Sequence, residues 1–282
     1  MKVRAIDVLK YVCSVLVALG LRMGAAVLFG GDPIAGVLPY REAVAACKVF
    51  PVALGMLALV YGALLAVYLA FRGYWPGRPA VTGLRFGSLF GLLWVVGMVE
   101  SALVLSTSLK EELLFGLCEV PPILILGLLG GLLFGSGTTD ARAPAASNPT
   151  DGLRTSVVIV LSVLAGRYLS YSVIAVESGF LELPAETFLW TLAFGATVGV
   201  LYRFLGRTLP GSPLGKGLLF GFVVFGIDWM LFTQVVPVLF YISPFELFRS
   251  YVVRVVVDCV FIARGVALSS GTPRHCQSMF WE

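Results

Sequence analysis

The fold is decided by long apolar stretches such as residues 49–71, which read VFPVALGMLALVYGALLAVYLAF and contain no Asp, Glu, Lys, Arg or His. A helix that crosses a bilayer needs about 20 mostly apolar residues. Comparable stretches lie at 8–30, 86–107, 116–135, 154–176, 187–206, 217–241 and 247–268. The chain is 59% hydrophobic and only 13% charged, about half the charged share of a soluble domain. The sequence therefore predicts an all-α, polytopic integral membrane protein with about eight transmembrane helices in a lipid bilayer.

The distribution of basic residues between the loops predicts the orientation of the chain, because Lys and Arg are enriched in cytoplasmic loops. With the N-terminus inside, most basic residues outside the helices fall on the cytoplasmic side. These are Lys2, Arg4, Lys10, Arg72, Arg78, Arg85, Arg142, Arg154, Arg203, Arg207, Lys216, Arg264 and Arg274, against Arg41, Lys48, Lys110 and Arg249 on the other side. We therefore expect a multi-pass plasma membrane protein with both termini in the cytoplasm.

A polar segment divides the apolar stretches four and four. Residues 135–152, GSGTTDARAPAASNPTDG, have the composition of a flexible linker. The two halves also share landmarks in the same order, which indicates a duplication. The matching landmarks are Arg22 with Arg167, Leu38-Pro39 with Leu183-Pro184, Gly87 to Gly91 with Gly217 to Gly221, and Glu112-Leu113 with Glu246-Leu247.

The duplication predicts four segments along the chain. A first four-helix repeat spans 1–135, a cytoplasmic linker 136–153, a second four-helix repeat 154–268 and a cytoplasmic tail 269–282. Since each repeat has an even number of helices, the two repeats are expected to insert in parallel. Their GxxxG segments, with Gly131 to Gly135 and Gly195 to Gly199, predict close helix packing at small residues.

Ionisable residues inside the predicted helices mark the candidate site, because each is unfavourable in hydrocarbon and must face the bundle interior. They are Arg22, Glu100, Glu119, Arg167, Asp228, Arg254 and Asp258. With a rise of about 1.5 Å per helical residue, all seven lie in the outer half or near the middle of the membrane. We therefore expect an outward-opening polar cavity.

The substrate-binding candidates in that cavity are Arg22, Arg167, Glu100 and Arg254. Arginine suits an anionic solute because its planar guanidinium donates two parallel hydrogen bonds to a carboxylate or phosphate. The candidates for holding a proton or a cation are Asp228, Asp258 and Glu119, since a carboxylate shielded from water binds protons more readily.

A structural role for the same charges is the alternative. They can pair with one another and simply hold the helices together. Arg254 and Asp258 are four residues apart, so they lie on one face of the last helix and are expected to neutralise each other locally.

Several function classes are excluded by residue type. The five cysteines have no metal-ligand spacing, and the single histidine, His275, lies in the C-terminal tail, so we predict neither a metal site nor a cofactor. The basic residues do not form one stripe with interleaved aromatic residues, which excludes a nucleic-acid partner. No catalytic residue is predicted.

One short stretch resembles a known family. Glu111-Glu112-Leu113-Leu114-Phe115 resembles the opening of the glutamate motif in the membrane-embedded CAAX-protease and bacteriocin-processing family. That motif continues to an Arg, where this chain has Gly116-Leu117, and the family requires intramembrane histidines. The predicted helices contain none, so the sequence excludes a protease of that type.

Three hypotheses remain from the sequence. The first is a small-solute transporter or permease with a polar site between the two repeats. The second is a noncatalytic membrane scaffold or assembly component that uses its GxxxG faces and acidic outer loops to bind protein partners. The third is an enzyme that acts on lipid-linked substrates at the outer surface, with a carboxylate and an arginine in acid and base roles.

Overall fold

The computed structural model describes residues 4–29, 34, 37–135 and 149–270. Within these ranges the chain is helical, and its one extended pairing is an isolated bridge between Tyr40 and Phe240. The prediction of an all-α protein is confirmed. The central part of the predicted linker, 136–148, and the end of the predicted tail, 271–282, lie outside the described residues.

Eight long helices and one short one make up the described chain. They are α1 Ala5–Phe29, the short α2 Glu42–Cys47, α3 Val49–Phe71, α4 Pro79–Val104, α5 Leu109–Phe134, α6 Pro149–Ser172, α7 Pro184–Gly206, α8 Pro213–Leu239 and α9 244–270. Each long helix covers one predicted span. Seven of the long helices start before the predicted apolar boundary. In several of these, proline, which favours the first helical turn, occupies that turn, as at Pro79, Pro184, Pro213 and Pro244.

Three π-helical segments lie in the second half of the chain. They end α7 at Tyr202–Gly206, interrupt α8 at Leu219–Val224 and open α9 at Leu247–Val253. In the described residues of the first half, α1 and α3 to α5 contain none. A π segment inserts extra residues into a turn and rotates the side chains that follow it. The faces of α8 and α9 therefore depart from a regular 3.6-residue pattern.

Seven of the long helices, α1 and α3 to α8, have both the length and the apolar composition needed to cross a membrane. The chain is thus a multi-pass helical membrane protein. The eighth long helix, α9, is of similar length but contains Arg249, Arg254, Asp258 and Arg264. Arg254 and Asp258 are only 6% and 2% exposed, so its central charges face the bundle. An eighth membrane crossing by α9 stays a prediction.

The helices of the two halves pack in matching ways. In the first half α1 contacts α3 and α5, and α4 contacts α5; in the second half α6 contacts α7 and α9, and α8 contacts α9. Between the halves, α3 packs against α8 and α4 packs against α7. If α1, α3, α4 and α5 are matched in order with α6, α7, α8 and α9, each of these contacts has a counterpart in the other half or between the halves.

Glycines bring the third and fourth helices of each half into backbone contact. A Cβ atom at Gly83 would lie 2.1 Å from the carbonyl oxygen of Gly127, and one at Gly217 would lie 2.2 Å from the carbonyl oxygen of Ala263. The predicted pair Gly195 and Gly199 packs less tightly against α6. A Cβ atom at Gly195 would lie 3.2 Å from the Val160 Cα atom, and one at Gly199 would lie 3.4 Å from the Ser156 Cα atom. The prediction that these small residues serve helix packing is confirmed.

Candidate functional site

The seven ionisable residues predicted inside the helices are all enclosed. None has more than 7% of its surface exposed. Their ion pairs divide them into a cluster on α1 and α5, a cluster on α4, α6 and α9, and an isolated aspartate on α8. Each of the three groups has a different set of partners and a different relation to the cavity described below.

The first cluster joins α1, α3 and α5. Arg22 forms an ion pair with Glu119 through Nε, and its guanidinium lies 4.7 Å from the centre of the Phe115 ring. The Tyr61 hydroxyl donates to the second oxygen of Glu119 at 2.6 Å. Both oxygens of the Glu119 carboxylate are therefore hydrogen-bonded, as a buried carboxylate requires.

The second cluster joins the two halves of the chain. Arg167 on α6 donates to Glu100 on α4 at 2.6 Å and lies 2.9 Å from the Asp258 carboxylate on α9. Arg254 on α9 donates to the same Glu100 oxygen at 2.9 Å. One glutamate of the first half thus bridges two arginines of the second half.

The prediction that Arg254 and Asp258 neutralise each other is wrong, because each forms its ion pair with another helix. Arg254 pairs with Glu100 on α4, and Asp258 pairs with Arg167 on α6. Two residues four positions apart do share a helix face. Here that face is packed against two other helices, whose charged side chains supply better-placed partners.

Aromatic side chains enclose Arg167. Its guanidinium lies 4.8 Å from the Trp190 ring centre, 4.9 Å from Phe194 and 5.7 Å from Trp229. The Trp229 indole also donates to Asp258 at 3.1 Å. An arginine over aromatic faces is stabilised by cation–π attraction, which strengthens away from water. Arg167 therefore lies in a dry, fully enclosed site.

Asp228 has a single hydrogen bond. The Trp94 indole nitrogen donates to its Oδ1 at 3.1 Å. Its other oxygen, Oδ2, is buried and has no hydrogen-bond partner among the described residues, and the structure gives Asp228 no ion pair there. The residue is 1% exposed. A buried carboxylate in this setting lacks the counter-charge and the further hydrogen bonds that it requires.

A cavity of about 400 Å³ lies between the two halves. Its walls come from α1, α3, α4 and α5 on one side and from α8 and α9 on the other, and most are apolar, with Leu57, Met98 and Phe232 as examples. The charged residues that line it are Arg22, Glu119, Glu100 and Arg254. Arg167, Asp228 and Asp258 do not line this cavity.

Arg22 presents unused donors to this cavity. Its Nε is taken by Glu119, while Nη1 and Nη2 have no hydrogen-bond partner within the described ranges and are not among the buried unpaired atoms. Arg254 uses only Nη1, toward Glu100. Both arginines keep guanidinium nitrogens available for a bound group, whereas Glu119 has none of its oxygens unpaired.

One end of the cavity is lined by contacts between the halves. The rings of Tyr40 and Phe240 stack with centres 4.8 Å apart, and both line the cavity. Arg41 Nε donates to the carbonyl oxygen of Pro237 at 2.7 Å. The segment that follows α1 is thereby attached to the end of α8.

Some of the site residues predicted from the sequence line the cavity, and others do not. Of the substrate candidates, Arg22, Glu100 and Arg254 line the cavity and Arg167 does not. Of the proton or cation candidates, Glu119 lines it and the two aspartates do not. Tyr61, Trp94 and the aromatic residues around Arg167 were not singled out from the sequence, because nothing distinguishes them among many aromatic residues in apolar helices.

Comparisons of the chain with protein-family models, curated proteins and solved structures found no match. The site has therefore to be interpreted from its own chemistry. It combines an apolar space with two arginines that hold free donors, at a depth where charged groups occur mainly at functional positions. No group of His, Cys, Asp or Glu in the described ranges is arranged to hold a metal ion.

Proposed function

We propose that this protein is a small-solute transporter whose substrate binds in the cavity between its two halves. The observation that carries the proposal is a cavity of about 400 Å³ lined by the pairs Arg22–Glu119 and Arg254–Glu100. Ligand sites in proteins are concave, mostly apolar and equipped with a few oriented polar groups. This cavity has all three properties and joins helices from both halves.

The substrate class follows from the unused hydrogen-bond donors. The free Nη atoms of Arg22 and Arg254 suit an anionic oxygen, since guanidinium groups bind carboxylates, sulfonates and phosphates in a fork-shaped geometry. The apolar walls suit a hydrocarbon or aromatic body. The expected substrate is therefore a small anion with an apolar portion.

A proton or cation site near the substrate is part of the proposal. Asp228 is the strongest of the three candidates, because it has no cationic partner, whereas Glu119 and Asp258 are each paired with an arginine. Trp94 connects the two sites: its side chain lines the cavity and its indole nitrogen donates to Asp228. A solute in contact with Trp94 would alter the surroundings of Asp228.

The membrane orientation is proposed on the distribution of basic residues. The termini and the linker 136–153 are assigned to the cytoplasm and the outer end of the cavity to the exterior, as in a plasma membrane transporter. We also propose that 1–135 and 154–268 are parallel repeats. The helix contacts that persist when the halves are exchanged support this assignment.

A scaffold that binds partners through its GxxxG faces is less well supported. The glycines of those segments already pack against helices of the same chain, as at Gly83, Gly131 and Gly217. An enzyme acting on lipid-linked substrates has no observation in its favour beyond the presence of carboxylates and arginines. The transporter hypothesis alone uses both the cavity and the unpaired donors.

The test is binding of benzenesulfonate, an anion with an aromatic body, compared with neutral benzenesulfonamide. Removing Arg22 alone would leave Glu119 unpaired, so the variant to use is Arg22→Gln with Glu119→Gln, which removes both charges and keeps polar side chains. Lys110→Gln, a charge change outside the cavity, is the matched control. We expect the wild type and the control to bind benzenesulfonate and the paired variant to bind at least tenfold more weakly, about 1.4 kcal/mol.

Equal binding of the anion and the amide by the wild type would contradict the proposal. Unchanged benzenesulfonate binding by the folded paired variant would contradict it as well. Folding is checked by gel filtration and by the unfolding temperature, which should stay within a few degrees of the wild-type value.

A further inference from the structure

A second, smaller cavity of about 180 Å³ lies at the opposite end of α4 from the first. It is formed by the turn between α3 and α4, by the first turns of α4 and by the end of α7 with the residues that follow it. The two cavities share no lining residue. Like the first, this one joins the two halves of the chain.

Three arginines line this second cavity: Arg85, Arg203 and Arg207. No acidic side chain lines it. In the part of the chain that the structure describes, the side chains of all three form no hydrogen bond and no ion pair. Arg85 and Arg203 are exposed, and Arg207 is half-buried. Three neighbouring cations without counter-charges repel one another, and a bound anion would relieve that repulsion.

The walls around these arginines are fixed. Trp75 is 3% exposed, and its indole nitrogen donates to the carbonyl oxygen of Leu205 at 2.8 Å. This bond attaches the α3–α4 turn to the end of α7, and the cavity between them is lined by Arg85 of α4 and Arg203 of α7. Thr208 also lines the cavity. Its hydroxyl oxygen is buried and has no hydrogen-bond partner among the described residues.

We propose that this cavity binds a phosphate group, and that the group belongs to the head of an anionic phospholipid. Arginine forks match phosphate oxygens in geometry and charge. The membrane-spanning segments Pro79–Val104 and Pro184–Gly206 begin and end at this level, which is where lipid head groups lie. Basic pockets between transmembrane helices on the cytoplasmic side are suited to anionic head groups.

The proposal is tested by following the unfolding temperature of the purified full chain in a neutral detergent. Three probes are titrated separately: dioctanoyl phosphatidylglycerol, dioctanoyl phosphatidylcholine and inorganic phosphate. The test variant is Arg203→Gln with Arg207→Gln. The matched control is Arg154→Gln with Arg264→Gln, two exposed arginines at the same end of the bundle and outside the cavity.

Phosphatidylglycerol should raise the unfolding temperature of the wild type to a plateau, and phosphatidylcholine should not. Each arginine removed should weaken the apparent affinity about fivefold, so the test variant should lose more than tenfold and the control less than twofold. Because both altered side chains have no partner, the unliganded test variant should unfold at the wild-type temperature.

A plateau with inorganic phosphate at the same concentrations, lost in the test variant, would keep the phosphate site but overturn its assignment to a lipid. The absence of a plateau with either anion would overturn the site itself. An equal loss in the control variant would do the same, because the effect would then depend on overall charge and not on the cavity.

Discussion

At the scale of single residues, the charges of this bundle fall into two kinds. Arg167 is fully enclosed by carboxylates and aromatic rings, while Arg22 faces a cavity with free donors. They occupy matching positions in the two proposed repeats, yet only Arg22 lines the cavity. Removing each of them should therefore have different consequences, stability in one case and binding in the other.

The first prediction concerns the stability of the Arg167 cluster. Arg167→Met leaves the Asp258 carboxylate buried without a counter-charge, which should lower the free energy of unfolding by about 3–5 kcal/mol. Adding Asp258→Asn removes that charge and should recover most of the loss. The unfolding temperature of the two variants in detergent measures the difference. Equal destabilisation by both would show that the buried charge is not the cause.

The second prediction concerns Asp228. Asp228→Asn replaces a carboxyl group that has no cationic partner with a neutral amide of the same shape, whose oxygen still accepts from Trp94. The amide nitrogen would lie buried where Oδ2 has no partner, so the free energy of unfolding should fall by about 1–3 kcal/mol. Uptake of benzenesulfonate into proteoliposomes should continue but should no longer respond to an imposed pH gradient. A pH-driven accumulation equal to that of the wild type would exclude Asp228 from proton coupling.

The sequence identified the buried charges but not their partners. Seven ionisable residues in apolar helices must face the interior, and all seven do. Which carboxylate meets which arginine depends on how helices distant in the chain pack, as with Glu100 and Arg254. The enclosure of Arg167 by Trp190, Phe194 and Trp229 has no sequence signal, because aromatic residues also fill ordinary core positions.

At the scale of helices, packing is set by glycines whose neighbours can be read directly. Gly83 lies against the backbone of α5, whereas the space beside Gly55 on α3 is open within 4 Å. The two glycines are both in long helices of the first half. They provide a matched pair for testing whether close backbone approach holds α4 to α5.

The third prediction uses this pair. Gly83→Ala would place a methyl group 2.1 Å from the Gly127 carbonyl oxygen, so α4 must move away, at a cost of about 1–3 kcal/mol. Gly55→Ala meets no atom and should be neutral or stabilising by up to about 1 kcal/mol. Thermal unfolding of both variants in one detergent checks the ranking. The reverse order would mean that the α4–α5 contact is not limiting.

The sequence predicts each helix boundary to within seven residues, but it does not predict the π segments. Hydropathy marks the apolar part of each helix, and proline marks where the first turn begins. The π segments of α7, α8 and α9 follow no residue signature. The segment in α8 includes a close contact with α9 at Gly221, where a Cβ atom would lie 2.6 Å from the Cys259 carbonyl oxygen.

At the scale of the whole molecule, the orientation and the eighth crossing can be tested together. If α9 crosses the membrane, the start of α4 and the end of α9 lie on one side and the start of α5 on the other. Single cysteines replacing Arg78, Lys110 and Leu268, with Cys13, Cys47 and Cys276 changed to serine, report these three positions. In intact cells an impermeant thiol reagent should label only the Lys110→Cys variant, and after permeabilisation it should label all three. Labelling of Leu268→Cys in intact cells would mean that α9 does not cross.

The central claim is that the cavity between the halves is open to solutes and prefers anions. Ser101 lines this cavity, so the most direct measurement is the rate at which a Ser101→Cys variant, with Cys13, Cys47 and Cys276 replaced by serine, reacts with anionic and cationic methanethiosulfonate reagents. The anionic reagent should react faster, and this preference should decrease when Arg22→Gln and Glu119→Gln are added, with Arg254 as the remaining cation. Equal rates, a faster cationic reaction or no labelling at all would contradict the account.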